Sequence, residues 1–141
     1  MINFYDENVS FSFTGKKQFA KKQIKTLLQM ESKETGDLCF IFCTDNFLLD
    51  INKKYLDHDY YTDVITFDYT VDNSVSGDIF ISVERVEENA RKFGVSFNHE
   101  LCRVMYHGVL HLCGYKDKSE DEERTMREKE DFYLKTLSTI Q

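Results

Sequence analysis

Two histidines, a glycine and an aspartate in the last third of the chain have the types and spacing to hold a metal ion. His107 and His111 lie four residues apart in a segment with helical patterning. Both imidazoles therefore project from one face, one turn apart, where they can chelate a single ion. Gly114 lets the chain leave that helix in a left-handed conformation, and the following loop brings back a possible third ligand at Asp117. Zinc accepts imidazole nitrogen and carboxylate oxygen alike. Three protein ligands leave a position open for water, which is the catalytic arrangement and implies hydrolysis.

The order His-x3-His-x2-Gly-x2-ligand is the spacing of a metzincin zinc site. In HExxH peptidases the residue after the first histidine is the glutamate that serves as general base, whereas here it is Gly108. A peptidase reading therefore lacks its base, and the glycine is expected to leave room above the metal for a bulky substrate.

The elements that position these residues are legible from periodicity and caps. The metal helix runs through Leu101, Val104, Met105, Val109 and Leu112, apolar on several faces as a central buried helix should be, with Ser96 as its N-cap and His99 in its first turn. Upstream, a strand is expected at residues 2–5, a helix from Lys16 to Met30, a strand from Asp37 to Thr44, and a helix from about Asp45 to Tyr55. Val64 to Tyr69 and Gly77 to Ser82 alternate as neighbouring strands across the turn VDNSVS. Val83 to Phe93 and Glu120 to Thr136 complete the helices. The pattern predicts one α+β domain over residues 1–141, a mixed sheet of about four strands packed with helices, with a zincin-like central helix carrying the histidines.

Composition narrows the function. Hydrophobic residues make 41% and charged residues 30% of the chain, ordinary for a globular protein, and no apolar run approaches the roughly eighteen residues of a membrane span. MINFYDENVS has neither a basic nor an apolar leader region, so a cytoplasmic setting is expected. Cys39, Cys43, Cys102 and Cys113 read as reduced core thiols without zinc-knuckle spacing. A net charge of -7 opposes a strong non-specific grip on nucleic acid. Two basic stretches could form a local patch: Lys16, Lys17, Lys21, Lys22 and Lys25, and later Arg85, Arg91, Lys92 and Arg103.

HGVLHLCGYKD resembles the signature HGxLHLxGYDH of the YbeY family. The matches extend to Asn52 and Tyr55, to Thr62-Asp63-Val64 with Phe67, and to Gly77-Asp78-Ile79, in order over Asn52 to Asp117. The resemblance implies a single α+β domain, a Zn2+ ion, and single-strand endoribonuclease action in small-subunit 3′-end rRNA maturation and ribosome quality control. It also implies rRNA and the small ribosomal subunit with its proteins as partners, and neither membrane nor DNA.

This sequence departs from the family pattern at two places. Asp117 aligns with the family's third histidine and Lys116 with the preceding aspartate; two histidines and one carboxylate also suit iron(II), manganese or nickel. Asp121 and Glu122 are the nearest substitutes should Asp117 fall short. Leu56 stands where the family has a functional arginine, and Tyr61 where it has a proline. His58, in the same loop, is a candidate for the missing charge at the substrate, and Asp63 and Asp78 are candidates to orient ligands or substrate. Tyr55, Tyr60, Tyr61 and Tyr115 could stack on bases or simply pack. The expected activity is a metal-dependent endoribonuclease. The rivals are a metallohydrolase of a peptide or small molecule and a non-catalytic ribosome-assembly factor.

Overall fold

The computed structural model describes residues 1–11 and 16–137; the expected domain over 1–141 also includes residues 12–15 and 138–141, which lie outside the described residues. The element order is β1 (Ile2–Glu7), α1 (Lys17–Met30), β2 (Glu34–Cys43), α2 (Asp45–Leu56), β3 (Val64–Asp68), β4 (Ser74–Ser82), α3 (Val83–Phe93), α4 (Phe97–Leu112) and α5 (Glu120–Thr136). The strands form one mixed sheet in the order β1-β2-β4-β3. β1, β2 and β4 run parallel, and β3 pairs antiparallel with β4 as the alternating pattern predicts.

Side-chain alternation along the strands builds two apolar layers. Phe40, Phe42, Ile79 and Ile81 face a main core shared with residues of α1, α3, α4 and α5, whereas Cys43, Ile65, Phe67 and Phe80 pack on α2 through Leu48 and Ile51. The result is the expected single α+β domain with a mixed four-stranded sheet. No helix among the described residues is long and apolar enough to cross a membrane.

Two strands start earlier than their apolar runs suggest. β2 begins at Glu34 and passes through Gly36 with a register shift between Thr35 and Leu38. β4 begins at Ser74, so the turn closes on a Val71–Ser74 bridge and is shorter than VDNSVS. Most of the added residues are polar or small and gain their place from ladder hydrogen bonds, which leave no hydrophobic signature; Val75 alone is apolar and fully buried, too short a signal between Ser74 and Ser76 to mark a strand. Thr44, Ser82, Ser96 and Ser119 each accept a backbone N–H as side-chain caps of α2, α3, α4 and α5.

Ten residues of α4 are buried, so it is the central helix that its apolar pattern predicts. Its end is a Schellman motif: Tyr115 N–H donates to Leu110 O at 3.1 Å and Gly114 N–H to His111 O at 3.0 Å, with Gly114 at φ 108°. The four cysteines are free thiols, with Cys43 and Cys102 in the core and Cys39 and Cys113 only half-buried. Burial pushes the Cys43 and Cys113 thiols up to about 12, which keeps both protonated at neutral pH.

Candidate metal centre

Arg103, His107 and His111 form one row along α4, as residues four apart must. Beyond the Gly114 turn the chain doubles back, and Asp117 Oδ2 comes to 3.1 Å from His111 Nε2 and 3.3 Å from His107 Nε2. One atom from each of the three residues lies within 4.8 Å of the others. Tetrahedral zinc with ligand bonds of about 2.0–2.1 Å holds its donors about 3.3 Å apart, so this spacing already suits the ion. Asp121 and Glu122 are not drawn in: with Tyr115 and Lys116 they line a separate shallow concavity, and Glu122 completes the α5 capping box.

Hydrogen bonds at the outer nitrogens fix how the rings present themselves. His111 Nδ1 lies 2.9 Å from Tyr115 O, a group that can only accept, so in the neutral ring Nδ1 carries the proton and Nε2 a lone pair. His107 Nδ1 lies 2.5 Å from Glu130 Oε2 on α5. Two nitrogen lone pairs and a carboxylate oxygen then converge. Such a contact is repulsive unless a cation or proton sits between the donors, and the set fits a divalent ion.

The surrounding charge points the same way. Asp63, Glu100, Asp117 and Glu130 cluster here with Arg103 and, at the longer distance of 4.0 Å from Glu130, Arg127, so with neutral histidines four negative charges against two positive leave an excess of two. Arg103 donates to Glu100 at 2.7 and 3.0 Å, to Glu130 Oε1 at 3.1 Å and to Asp63 Oδ2 at 3.2 Å. Burial works against its charge, but the Glu100 hydrogen bonds and the neighbouring carboxylates outweigh it and raise its pKa. Burial likewise favours the neutral Glu130 carboxyl, yet the His107 hydrogen bond and the Arg103 charge hold it below the usual range.

The histidines and Asp117 open into a cleft of about 360 Å³ whose other walls include Leu56, His58, Asp63 and the edge strand residues Val64 and Thr66. Asn52, matched in the signature, is 2% exposed and holds the loop after α2: its Nδ2 donates to Tyr60 O at 2.9 Å, and His58 N–H donates to its carbonyl at 3.0 Å. His58 is at the cleft, hydrogen-bonded through Nδ1 to Tyr60 Oη at 3.0 Å. No lysine or arginine lines the cleft among the described residues, in keeping with Leu56 where the family carries arginine.

Several expectations are corrected. Asp78 lies outside the cleft, in a depression with Asn3, Cys39 and Tyr69, because β4 presents it to the opposite face of the sheet from Ile79. Gly108 does not leave room above the metal: a Cβ there would stand 2.8 Å from Ile79 Cγ2, so the glycine serves the close approach of α4 to β4. The second basic stretch is largely neutralised, with Arg85 on Asp45 and Glu88, Arg91 on Glu87, and Arg103 on three carboxylates. Tyr115 is a packing residue, its hydroxyl donating to Glu31 at 2.7 Å. His99, by contrast, is the first-turn residue expected, its N–H donating to the Ser96 cap.

Glu130 is the site residue that sequence reading missed, and Arg103, expected in a basic patch, instead clamps it. Glu130 sits in the charged run EDEERTMREKED, where every acid looks alike. Only Met126 four residues before and Tyr133 three after, both buried, mark the inward face it shares.

A histidine pair on a buried helix and a loop carboxylate beside the edge of a mixed sheet define a zincin-like α+β protein with one candidate metal site among the described residues. A family model described as Endoribonuclease YbeY matches residues 1–138. The chain belongs to the YbeY family. It is 52% identical over 131 residues to Endoribonuclease YbeY of Flavobacterium johnsoniae, covering 93% of each chain, and 55% identical over 118 residues to that of Flavobacterium psychrophilum, covering 84% of each. A solution structure from Thermotoga maritima is similar with a TM-score of 0.69 at 28% identity, covering 96% of this chain and 87% of that one.

Proposed function

We propose that the chain is a metal-dependent endoribonuclease that cuts single-stranded RNA in small-subunit 3′-end rRNA maturation and ribosome quality control. The observation that carries this reading is the convergence of two imidazole lone pairs and a carboxylate oxygen at zinc-like spacing in a chain of this family. His107, His111 and Asp117 hold the ion, which we take to be Zn2+. When bound, it supplies the Lewis acidity that activates water and polarises a phosphoryl oxygen.

The chain's own residues do the rest. Their excess negative charge repels a phosphodiester until a divalent cation offsets it, which makes substrate entry depend on metal loading. Asp63 sits at the cleft wall with one oxygen on Arg103, leaving the other to face substrate. His58 offers a proton-dependent positive charge in place of the family arginine. Gly108 has no side chain to act as base and abuts Ile79, which argues against peptide hydrolysis.

RNA is gripped away from this acidic cleft. Lys16, Lys17, Lys21, Lys22 and Lys25 at α1 have no acidic residue among them in the sequence, and none pairs with a carboxylate among the described residues. The small ribosomal subunit and its proteins supply the remaining specificity for an acidic chain. Ribosomal RNA as substrate and four free thiols favour a cytoplasmic setting.

The test is metal content of purified chain, wild type against His111→Ala and Asp117→Ala, followed by cleavage of single-stranded RNA with the recovered metal. About one ion per chain, lost in both variants together with cleavage, is expected. A wild type that takes up no ion at neutral pH sinks the hydrolase reading and leaves a non-catalytic assembly factor.

A further inference from the structure

We infer that Glu130 is the positioning residue of this site: clamped by Arg103, it fixes the tautomer and ring orientation of His107 so that Nε2 faces Asp117 and the ion. The inference rests on the metal-site reading above. Nothing on α4 itself can do this for His107. A neutral imidazole has two tautomers and two ring flips, and only a ring with Nδ1–H outward presents its Nε2 lone pair where the Asp117 oxygen lies 3.3 Å away.

His111 gets its anchor locally from the Tyr115 carbonyl at 2.9 Å, a by-product of the turn at Gly114. His107 lies one turn further inside α4, where the backbone carbonyls are engaged in the helix, so its anchor must come from another element. α5 supplies it as a carboxylate 2% exposed, with Oε2 at 2.5 Å from Nδ1.

A staple between α4 and α5 would need only the Arg103 contact to Oε1 at 3.1 Å. The two oxygens instead divide the work, one on the guanidinium and one on the imidazole. Arg103 is itself held by Glu100 through two nitrogens and also reaches Asp63 on the cleft wall, so one cation aligns the His107 anchor and the wall residue together. Burying a carboxylate is costly unless it is fully paired, and here every buried polar side-chain atom of the described residues has a partner. A carboxylate on the outer nitrogen also raises the basicity of the liganding one.

Glu130→Gln keeps the shape and can still accept from Arg103, but it turns an amide N–H₂ toward Nδ1 and favours the Nε2–H tautomer. Two readouts need no RNA. In metal-free protein at alkaline pH, long-range ¹H–¹⁵N spectra should show His107 as Nδ1–H in the wild type and shifted toward Nε2–H in Glu130→Gln. Zinc affinity, measured by competition with a chromophoric chelator, should fall roughly 10- to 100-fold. Glu130→Asp, which restores the charge, should keep the wild-type tautomer and lose less affinity.

A folded Glu130→Gln with wild-type zinc affinity and unchanged tautomer overturns the inference and makes Glu130 a structural staple. If that variant does not fold, a wild-type His107 found as Nε2–H overturns it alone. A wild type that binds zinc as expected but cuts no RNA refutes the nuclease reading and leaves this one standing.

Discussion

Installing the missing peptidase glutamate, Gly108→Glu, would test whether position 108 faces the metal or the sheet. The structure places an added Cβ 2.8 Å from Ile79 Cγ2 and 3.3 Å from its Cδ1. Ile79 is fully buried and β-branched, so it has no rotamer to yield. Gly108→Ala should gain about 1 kcal/mol of helix propensity and lose about 1–3 kcal/mol to overpacking, for a net destabilisation of up to about 2 kcal/mol. The glutamate adds a carboxylate directed at an apolar layer, and the sum should reach about 4 kcal/mol or more, in the range reserved for buried unpaired charge and severe overpacking. At roughly 3 °C per kcal/mol for a chain of this size, Tm should drop by about 12 °C. Thermal and urea unfolding of metal-free protein measure this, with a peptidase assay beside them. Because an alanine at 108 would touch Ile79, Gly108→Ala combined with Ile79→Ala should cost less than the sum of the two single changes. Gly108→Glu within about 0.5 kcal/mol of wild type, with peptide hydrolysis gained, would refute the assignment of this helix face.

Two further outcomes follow from charge. Glu31, with its side chain 8% exposed, accepts from Tyr115, Tyr133 and Lys129; burial alone would raise its carboxyl, but these partners hold it below its ordinary 4.5. Its stabilisation is present above that value and lost as pH falls through the depressed folded one, so Glu31→Gln should cost about 1–3 kcal/mol at pH 7 by urea unfolding, with the gap to wild type closing in acid. An equal gap in acid would count against an ionised Glu31 as its source. Replacing Lys21, Lys22 and Lys25 by alanine should flatten the log–log salt dependence of single-stranded RNA binding by about 2, at roughly 0.7 for each phosphate no longer neutralised, and an unchanged slope would remove α1 from the RNA path.

What the sequence determined by itself is what short spacing controls. His107 and His111 share a face because an α-helix repeats every 3.6 residues, and Gly114 with Asp117 follows from the turn that ends that helix. The antiparallel β3–β4 pair and the cap at Ser96 are equally local, resting on alternation and on orphan N–H groups. Tertiary structure alone decided the rest. The His107–Glu130 contact spans 23 positions and Arg103–Asp63 spans 40, so no periodicity within one element announces either. Gly108 is legible as a missing base, but whether its empty side faces an ion or a neighbouring strand depends on how α4 is rolled against the sheet. That roll is set by burial of apolar residues around nearly the whole helix, which one-dimensional patterning leaves open. The two basic stretches look alike in the sequence, and only the packing of carboxylates against Arg85, Arg91 and Arg103 separates cations already engaged from the α1 lysines, none of which pairs with a carboxylate among the described residues.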